Sequence, residues 1–224
     1  MFVFRRFLLI FVVLCVLAAV CWRAATHWHP AVEKFPVQGV DVGEVNGAIE
    51  WKVVAGAGAD FGYAVATYGA GRRDRRFEEN WQAMAAAGLR RGAVHVWSLC
   101  APAVDQANAF NTMVPRDPGA LPATIDFDYA EGCEARPERV ALVEDVTRAA
   151  RIIEAHTGKP VLLRVSRRFE RDYDLASALP RPIWAIGNFL EPGYAARGWR
   201  MWRASDIRRI DGIEGPVNWD VAAS

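Results

Sequence analysis

Two carboxylates spaced two residues apart are the first chemistry this sequence offers. In "LPATIDFDYAEGC" (121–133), Asp126 and Asp128 follow an apolar lead-in of strand character. That spacing on a strand puts both side chains on one face. Adjacent carboxyls perturb each other, and one can be kept protonated by the charge of the other, as an acid–base pair requires. The same pair also admits a structural reading, in which the acids cap a loop or meet an arginine. Asp41, in "GVDV" (39–42), is a third acid near a strand end. No C-x-x-C or Cys/His ligand spacing suggests zinc, and no metal or cofactor is expected.

The elements that must position these acids alternate. Strands are expected at 39–42, 61–69, 93–100, 123–128 and 160–166, with shorter ones at 182–189, 199–205 and 215–221. Helices are expected at 48–58, 76–92, 103–114 and 138–158. The second has a broad apolar face of Phe77, Trp81, Met84 and Leu89, the third is stopped by Pro115 and the last is capped by Gly158. Such alternation implies a parallel sheet covered by helices, either a barrel or a doubly wound sheet. In both, polar side chains gather at the C-terminal ends of the strands. Asp41, Thr67, His95, Trp97, Asp126 and Asp128 all fall near such ends. No glycine-rich phosphate loop follows the first strand, so the barrel is favoured.

The N-terminus carries its own signal. Arg5 and Arg6 precede an uninterrupted apolar run from Phe7 to Trp22. This is slightly long for a signal-peptide core and slightly short for a full span, although Phe2 to Phe4 can extend it. The basic flank puts the N-terminus in the cytoplasm and the rest outside. An uncleaved signal anchor is preferred, with Ala18, Ala24 and Ala25 leaving cleavage open. The expected division is a signal anchor or signal peptide at 1–24, a linker at 25–37 and one domain at 38–224. Residues 27 and 29 are histidines read as solvated or interfacial rather than as ligands. Cys15 and Cys21 lie in the apolar run, whereas Cys100 and Cys133 lie in the exported part, where a disulfide between them can persist. A net charge of +1 with arginines interleaved among acids gives no reason to expect nucleic acid.

From residue 39 to 222 the chain resembles glycoside hydrolase family 25, the Chalaropsis-type lysozymes. Six runs carry the likeness in order: "GVDVGEVNGAIEW", "AVATYGAGRRDRRFEEN", "GAVHVW", "QANAF", "LPATIDFD" and "DGIEGPVNWD". The resemblance implies an irregular barrel of about eight strands with five helices. The implied activity is N-acetylmuramidase, hydrolysis of the β-1,4 bond after N-acetylmuramic acid in peptidoglycan. Glycan strands are then the partner, the inner membrane is engaged through the N-terminal helix, and a monomer at the periplasmic face is expected. Glycoside hydrolysis needs a proton donor at the leaving oxygen and negative charge beside an oxocarbenium-like state. The resemblance assigns the donor to Asp128, with Asp126 and Asp41 as supporting carboxylates. Tyr68, His95, Trp97, Trp202, Asn218 and Asp220 are the expected substrate-binding residues. Read by type alone, His95 is a hydrogen-bonded barrel residue, and Trp97, Trp184, Trp199 and Trp202 serve equally as core. The nearest subset of the family also has cysteines at the positions of Cys100 and Cys133.

Several positions depart from the family pattern. Asp128 stands where a Glu is usual, one methylene shorter, which retracts the carboxyl by roughly 1.5 Å; a misplacement on the order of 1 Å can cost about a hundredfold in rate. Tyr68 replaces a Glu, Val94 a Tyr, Arg164 a Tyr, Arg203 a Gln, Ala204 an aromatic and Asn218 an Asp. The scaffold positions Gly39, Gly47, Trp51, Asn80 and Gly212 match. This asymmetry fits a divergent hydrolase, and equally a degenerate peptidoglycan-binding or scaffolding protein on the same fold. Glu131, three residues beyond Asp128, is a further candidate acid if the loop brings it back.

Overall fold

A computed structural model describes residues 2–223. The chain opens with helix α1 (Phe2–His27). Nine strands and six more helices follow: β1 (Gln38–Val42), α2 (Trp51–Gly56), β2 (Phe61–Tyr68), β3 (Arg72–Arg73), α3 (Phe77–Ala86), β4 (Arg90–Val96), α4 (Ala103–Met113), β5 (Thr124–Phe127), α5 (Arg139–Thr157), β6 (Leu162–Val165), α6 (Arg167–Tyr173), α7 (Leu175–Ala178), β7 (Ile183–Ile186), β8 (Trp199–Arg208) and β9 (Val217–Ala222). The strand order β1-β9-β8-β7-β6-β5-β4-β2 closes through a β1–β2 pairing, so eight strands form the expected barrel and β3 hangs from β2 as a ribbon. All neighbours in the ring are parallel except at β9, which runs against both β1 and β8.

Two apolar layers follow from the period-2 alternation of barrel strands buried on both faces. The outer layer packs Ala64, Ile125, Phe127, Leu163, Val165 and Ile183 against α2 to α7. The inner layer fills the barrel with Phe61, Tyr63, Val65, Val94, Leu162, Trp184 and Met201. Gly92 is required there, because a Cβ on it would sit 2.1 Å from the Tyr63 ring. Gly39 is required on β1, where a Cβ would lie 2.3 Å from the Phe61 carbonyl oxygen.

Three stretches fold in ways the sequence alone did not indicate. Helix α3 does not run to Gly92. It stops at Ala86, Gly88 turns the chain at φ +78°, and the strand begins at Arg90, where the sequence carries no apolar signal. Helix α6 occupies "RRFERDY" after β6, a charged stretch whose start is fixed by the Ser166 side chain accepting the Phe169 N–H. The stretch expected as a linker, 25–37, is not free. Its first three residues extend α1, Thr26 is buried, and Phe35 packs with Trp202, Ala204 and Val221 on the outside of β8 and β9. No helix covers this part of the barrel, since β8 returns directly as β9, and the N-terminal segment supplies the missing cover.

Candidate active site

The C-terminal end of the barrel holds three acids and two arginines as one network. Asp41 reaches inward from β1, Asp126 from β5, Asp220 from β9, Arg164 from β6 and Arg203 from β8. Arg164 donates to both oxygens of Asp126 (Nε–Oδ1 2.8 Å, Nη2–Oδ2 2.7 Å) and places Nη1 2.8 Å from Asp41 Oδ1. Arg203 donates to both oxygens of Asp41 through Nη2, at 2.8 and 2.7 Å, and its Nε lies 4.0 Å from Asp220. Asn218 donates a further bond to Asp41 Oδ1 at 3.1 Å, and Trp184 Nε1 donates to Asp220 Oδ1 at 3.1 Å. Arg164 also lies over the Trp184 ring at 4.8 Å, a cation–π contact.

Burial and charge set the protonation of this cluster. Burial pushes the Asp41 carboxyl up, but Arg164 and Arg203 together outweigh it and hold Asp41 well below the usual carboxylate range. Asp220 goes the other way: burial, then the Asp41 charge, raise it well above that range. Asp220 Oδ2 is buried with no donor beside it. The ionised form of Asp220 is therefore disfavoured beside the charged Asp41. Arg164 is pushed down by burial, but Asp126 and Asp41 more than restore it, so its charge is secure.

Asp128 stands apart from this network. It lies just beyond the end of β5, exposed at the rim, and its Oδ1 accepts from the Ser166 hydroxyl at 2.9 Å and the Tyr129 N–H at 2.8 Å. Ser166 therefore ties the candidate proton donor to the start of α6. Beside it a groove of about 370 Å³ runs between Tyr68, Arg72, Ser98, Ala130 and Glu131. Tyr68 is held there by donating to Asp74 at 3.0 Å, with the Arg72 guanidinium 3.3 Å over its ring. Burial, followed by the Asp74 charge, pushes the Tyr68 hydroxyl up to about 12, so it remains a donor. Glu131 lines the groove from the loop after Asp128. The Cys100–Cys133 disulfide, with Cα atoms 5.9 Å apart, joins that loop to the one following β4.

Thus Asp41, Asp126, Asn218 and Asp220 converge, Asp128 and Tyr68 sit at the rim, Trp97 lines the groove beside Tyr68, and His95 and Trp202 face outward from the barrel. His95 points outward from β4 toward α4: its Nδ1 meets Thr67 Oγ1 at 2.8 Å and its Nε2 meets Gln106 Oε1 at 3.2 Å. The amide carbonyl can only accept, so Nε2 carries the proton and Nδ1 accepts from Thr67. Burial lowers this histidine to about 4, against the weaker opposing effect of Gln106. Trp97 packs on Phe127 at 5.7 Å and is buried, and it also lines the groove. Trp202 lies on the outside of β8, against Phe35 at 5.8 Å, because the inward position belongs to Arg203. Ser166 and Trp184 were not singled out as site residues. The signal for Ser166 is its place at the end of the strand next to that of Asp126, the location at which polar groups gather.

A closed barrel with a carboxylate-rich mouth at the C-terminal ends of its strands has the architecture of a barrel enzyme. The family model for glycosyl hydrolases family 25 matches residues 40–213, and the chain belongs to that family. Over 194 residues it is 29% identical to the uncharacterised protein YegX of Escherichia coli, covering 84% of this chain and 70% of that one. Among solved structures it is similar to a family 25 glycosyl hydrolase from Bacillus anthracis, with TM-score 0.80, 27% identity, and 88% and 93% of the two chains covered. The bacterial lysozyme from Streptomyces coelicolor shares the fold, with TM-score 0.74 at 24% identity, over 83% of this chain and 91% of that one.

Proposed function

We propose that this protein is an exported muramidase that hydrolyses the β-1,4 bond between N-acetylmuramic acid and N-acetylglucosamine in peptidoglycan. It acts as a monomer held at the periplasmic face of the inner membrane by α1, with the barrel (38–224) as the working domain. The observation that carries this reading is the placement of Asp41 and Asp126 inside the mouth of a family 25 barrel, with Asp128 exposed at its rim. Asp128 is the proton donor to the leaving oxygen, since it alone of the three is open to solvent and free of arginine. Asp126 and Asp41 supply negative charge toward the oxocarbenium-like state. Asn218 and Asp220 position Asp41, and the groove beside Tyr68 and Glu131 receives the glycan.

A second reading has a specific observation behind it. Arg164 and Arg203 neutralise the two supporting carboxylates, which suits a barrel that binds glycan without cleaving it. Incubating the detergent-solubilised full chain with purified sacculi and measuring new reducing ends separates the two. Release that disappears in Asp128→Asn supports hydrolysis, and binding without release establishes the second reading. Release that survives Asp128→Asn removes Asp128 as donor. Asp128→Glu restores the missing methylene and is expected to raise the rate, by as much as about a hundredfold if reach is the main defect.

A further inference from the structure

The N-terminal helix leaves the barrel at the same end as the acids. The Arg209 N–H donates to the Thr26 carbonyl at 2.7 Å, and Arg208 Nη1 donates to the Trp28 carbonyl at 3.2 Å. Strand β8 runs parallel to β7, so residues 208–209 mark its C-terminal end. From there the N-terminal segment descends the outside of the barrel. Trp28 lies edge-on to Phe189 at 5.3 Å near the mouth, and Phe35 reaches Trp199 at 5.9 Å, at the start of β8. Gln38 then begins β1 and is locked by bonds to the Pro30 and Phe35 carbonyls and by the Trp219 indole. The junction is built, not tethered.

The helix itself points away from the barrel, since residues 4–24 are exposed. Its apolar run ends at Trp22, followed by Arg23, where a bilayer would end. Arg23 to Thr26 is three helical residues, about 4.5 Å. From Arg209 back along β8 to Arg203 is six residues, about 20 Å. The acid cluster therefore lies roughly 25 Å along the chain path from the membrane boundary. Exposed Arg23 and Arg209 flank this rim, where lipid phosphates would meet them.

We propose that the mouth of the barrel is held on the membrane side of the domain, and that its substrate is glycan at the membrane surface still attached to a lipid carrier. This rests on the muramidase reading above and narrows it. A glycan lying along the bilayer passes the mouth, whereas glycan on the far side of the domain meets only the N-terminal ends of the strands.

Two measurements on the full chain in lipid vesicles test this. With Cys15→Ala and Cys21→Ala as background, a fluorophore is placed at Glu214→Cys, in the β8–β9 loop, or at Arg116→Cys, in the α4–β5 loop at the opposite end. Headgroup-attached quenchers are expected to quench the Glu214 site several-fold more than the Arg116 site; equal or reversed quenching overturns the orientation. Cleavage of a lipid-linked glycan oligomer in the same vesicle is then compared with cleavage of the same oligomer released from its lipid. The expectation is at least ~10-fold faster cleavage of the lipid-linked form, falling when a long Gly/Ser insertion after Trp22 lets the barrel turn freely. Equal rates, or a preference unchanged by the insertion, overturn the inference while leaving the muramidase reading intact. No cleavage of either form overturns both.

Discussion

Replacing Arg164 by methionine removes the hub of the acid cluster while keeping an unbranched side chain of similar length. Arg164 is 3% exposed and serves Asp126 through two bonds and Asp41 through a third contact. Removing one member of a buried ion network costs about 3–5 kcal/mol, because the remaining charge is left without compensation. Asp41 keeps Arg203 and Asn218 in the variant, and Asp126, at 16% exposure, can draw on water. The lower end of that range, about 3 kcal/mol, is therefore expected. For a domain of this size it corresponds to a fall in Tm of about 6–12 °C. The melt is followed by near-UV circular dichroism, which reports the packed tryptophans. Adding Asp126→Asn removes the stranded charge and should recover at least half of the loss. An Arg164→Met variant that melts no lower than the parent, or a double variant as unstable as the sum of the two single changes, would refute the assignment of Arg164 as counter-ion.

Three further outcomes follow from packing and protonation. His95 titrates at about 4 folded against 6.5 unfolded, so between those values the unfolded chain binds the extra proton and stability falls as pH drops. The loss amounts to about 3 kcal/mol across that window, and His95→Gln should flatten the slope in urea titrations at stepped pH. Cys100→Ser with Cys133→Ser opens a link across a sequence separation of 33, with an expected cost of about 3–4 kcal/mol in chemical denaturation. Phe35→Ala should cost about 3 kcal/mol and shift tryptophan emission to the red as Trp202 gains water. An unshifted spectrum would mean that the N-terminal segment does not cover β8.

The alternation of strands and helices was legible because each barrel strand is a short apolar run bounded by turn residues, as at β2 and β6. The acids at the mouth were legible because a carboxylate at the end of such a run has no place in either apolar layer. What the sequence did not reveal was facing. On β4 both sides of the strand are buried, so Val94, His95, Val96 and Trp97 offer no polarity contrast to say which pair looks inward. Only the register with β5, which pairs Val96 with Asp126, puts the valines inside and sends His95 to Gln106. On β8 the same ambiguity hid Trp202, and the irregular pairing with β9 after Arg203 removed the period that would have resolved it. The arginines were visible as departures from the family pattern, but their pairing with Asp41 and Asp126 is a contact between strands far apart in sequence.

Those arginines and the shortened acid bear on one another. With ionisation of Asp220 disfavoured by burial and by the Asp41 charge, the other two acids of the cluster, Asp41 and Asp126, are matched by two guanidiniums. A cluster balanced in this way has little charge left to offer a developing oxocarbenium ion, and a cation placed beside Arg164 and Arg203 would be repelled. Asp128 cannot make up the deficit, because a group that donates the proton cannot also supply the stabilising charge at the same moment. Of the two guanidiniums, Arg203 is the more exposed, at 14% against 3%, and it holds Asp41 from the solvent side. Hydrolysis that draws on the Asp41 charge must therefore compete with Arg203 for it, whereas binding without cleavage need not. Arg203→Gln, which restores the usual residue of the family, should accordingly raise turnover of sacculi more than it raises their binding; an equal effect on both would show that Asp41 is not the carboxylate the arginine withholds.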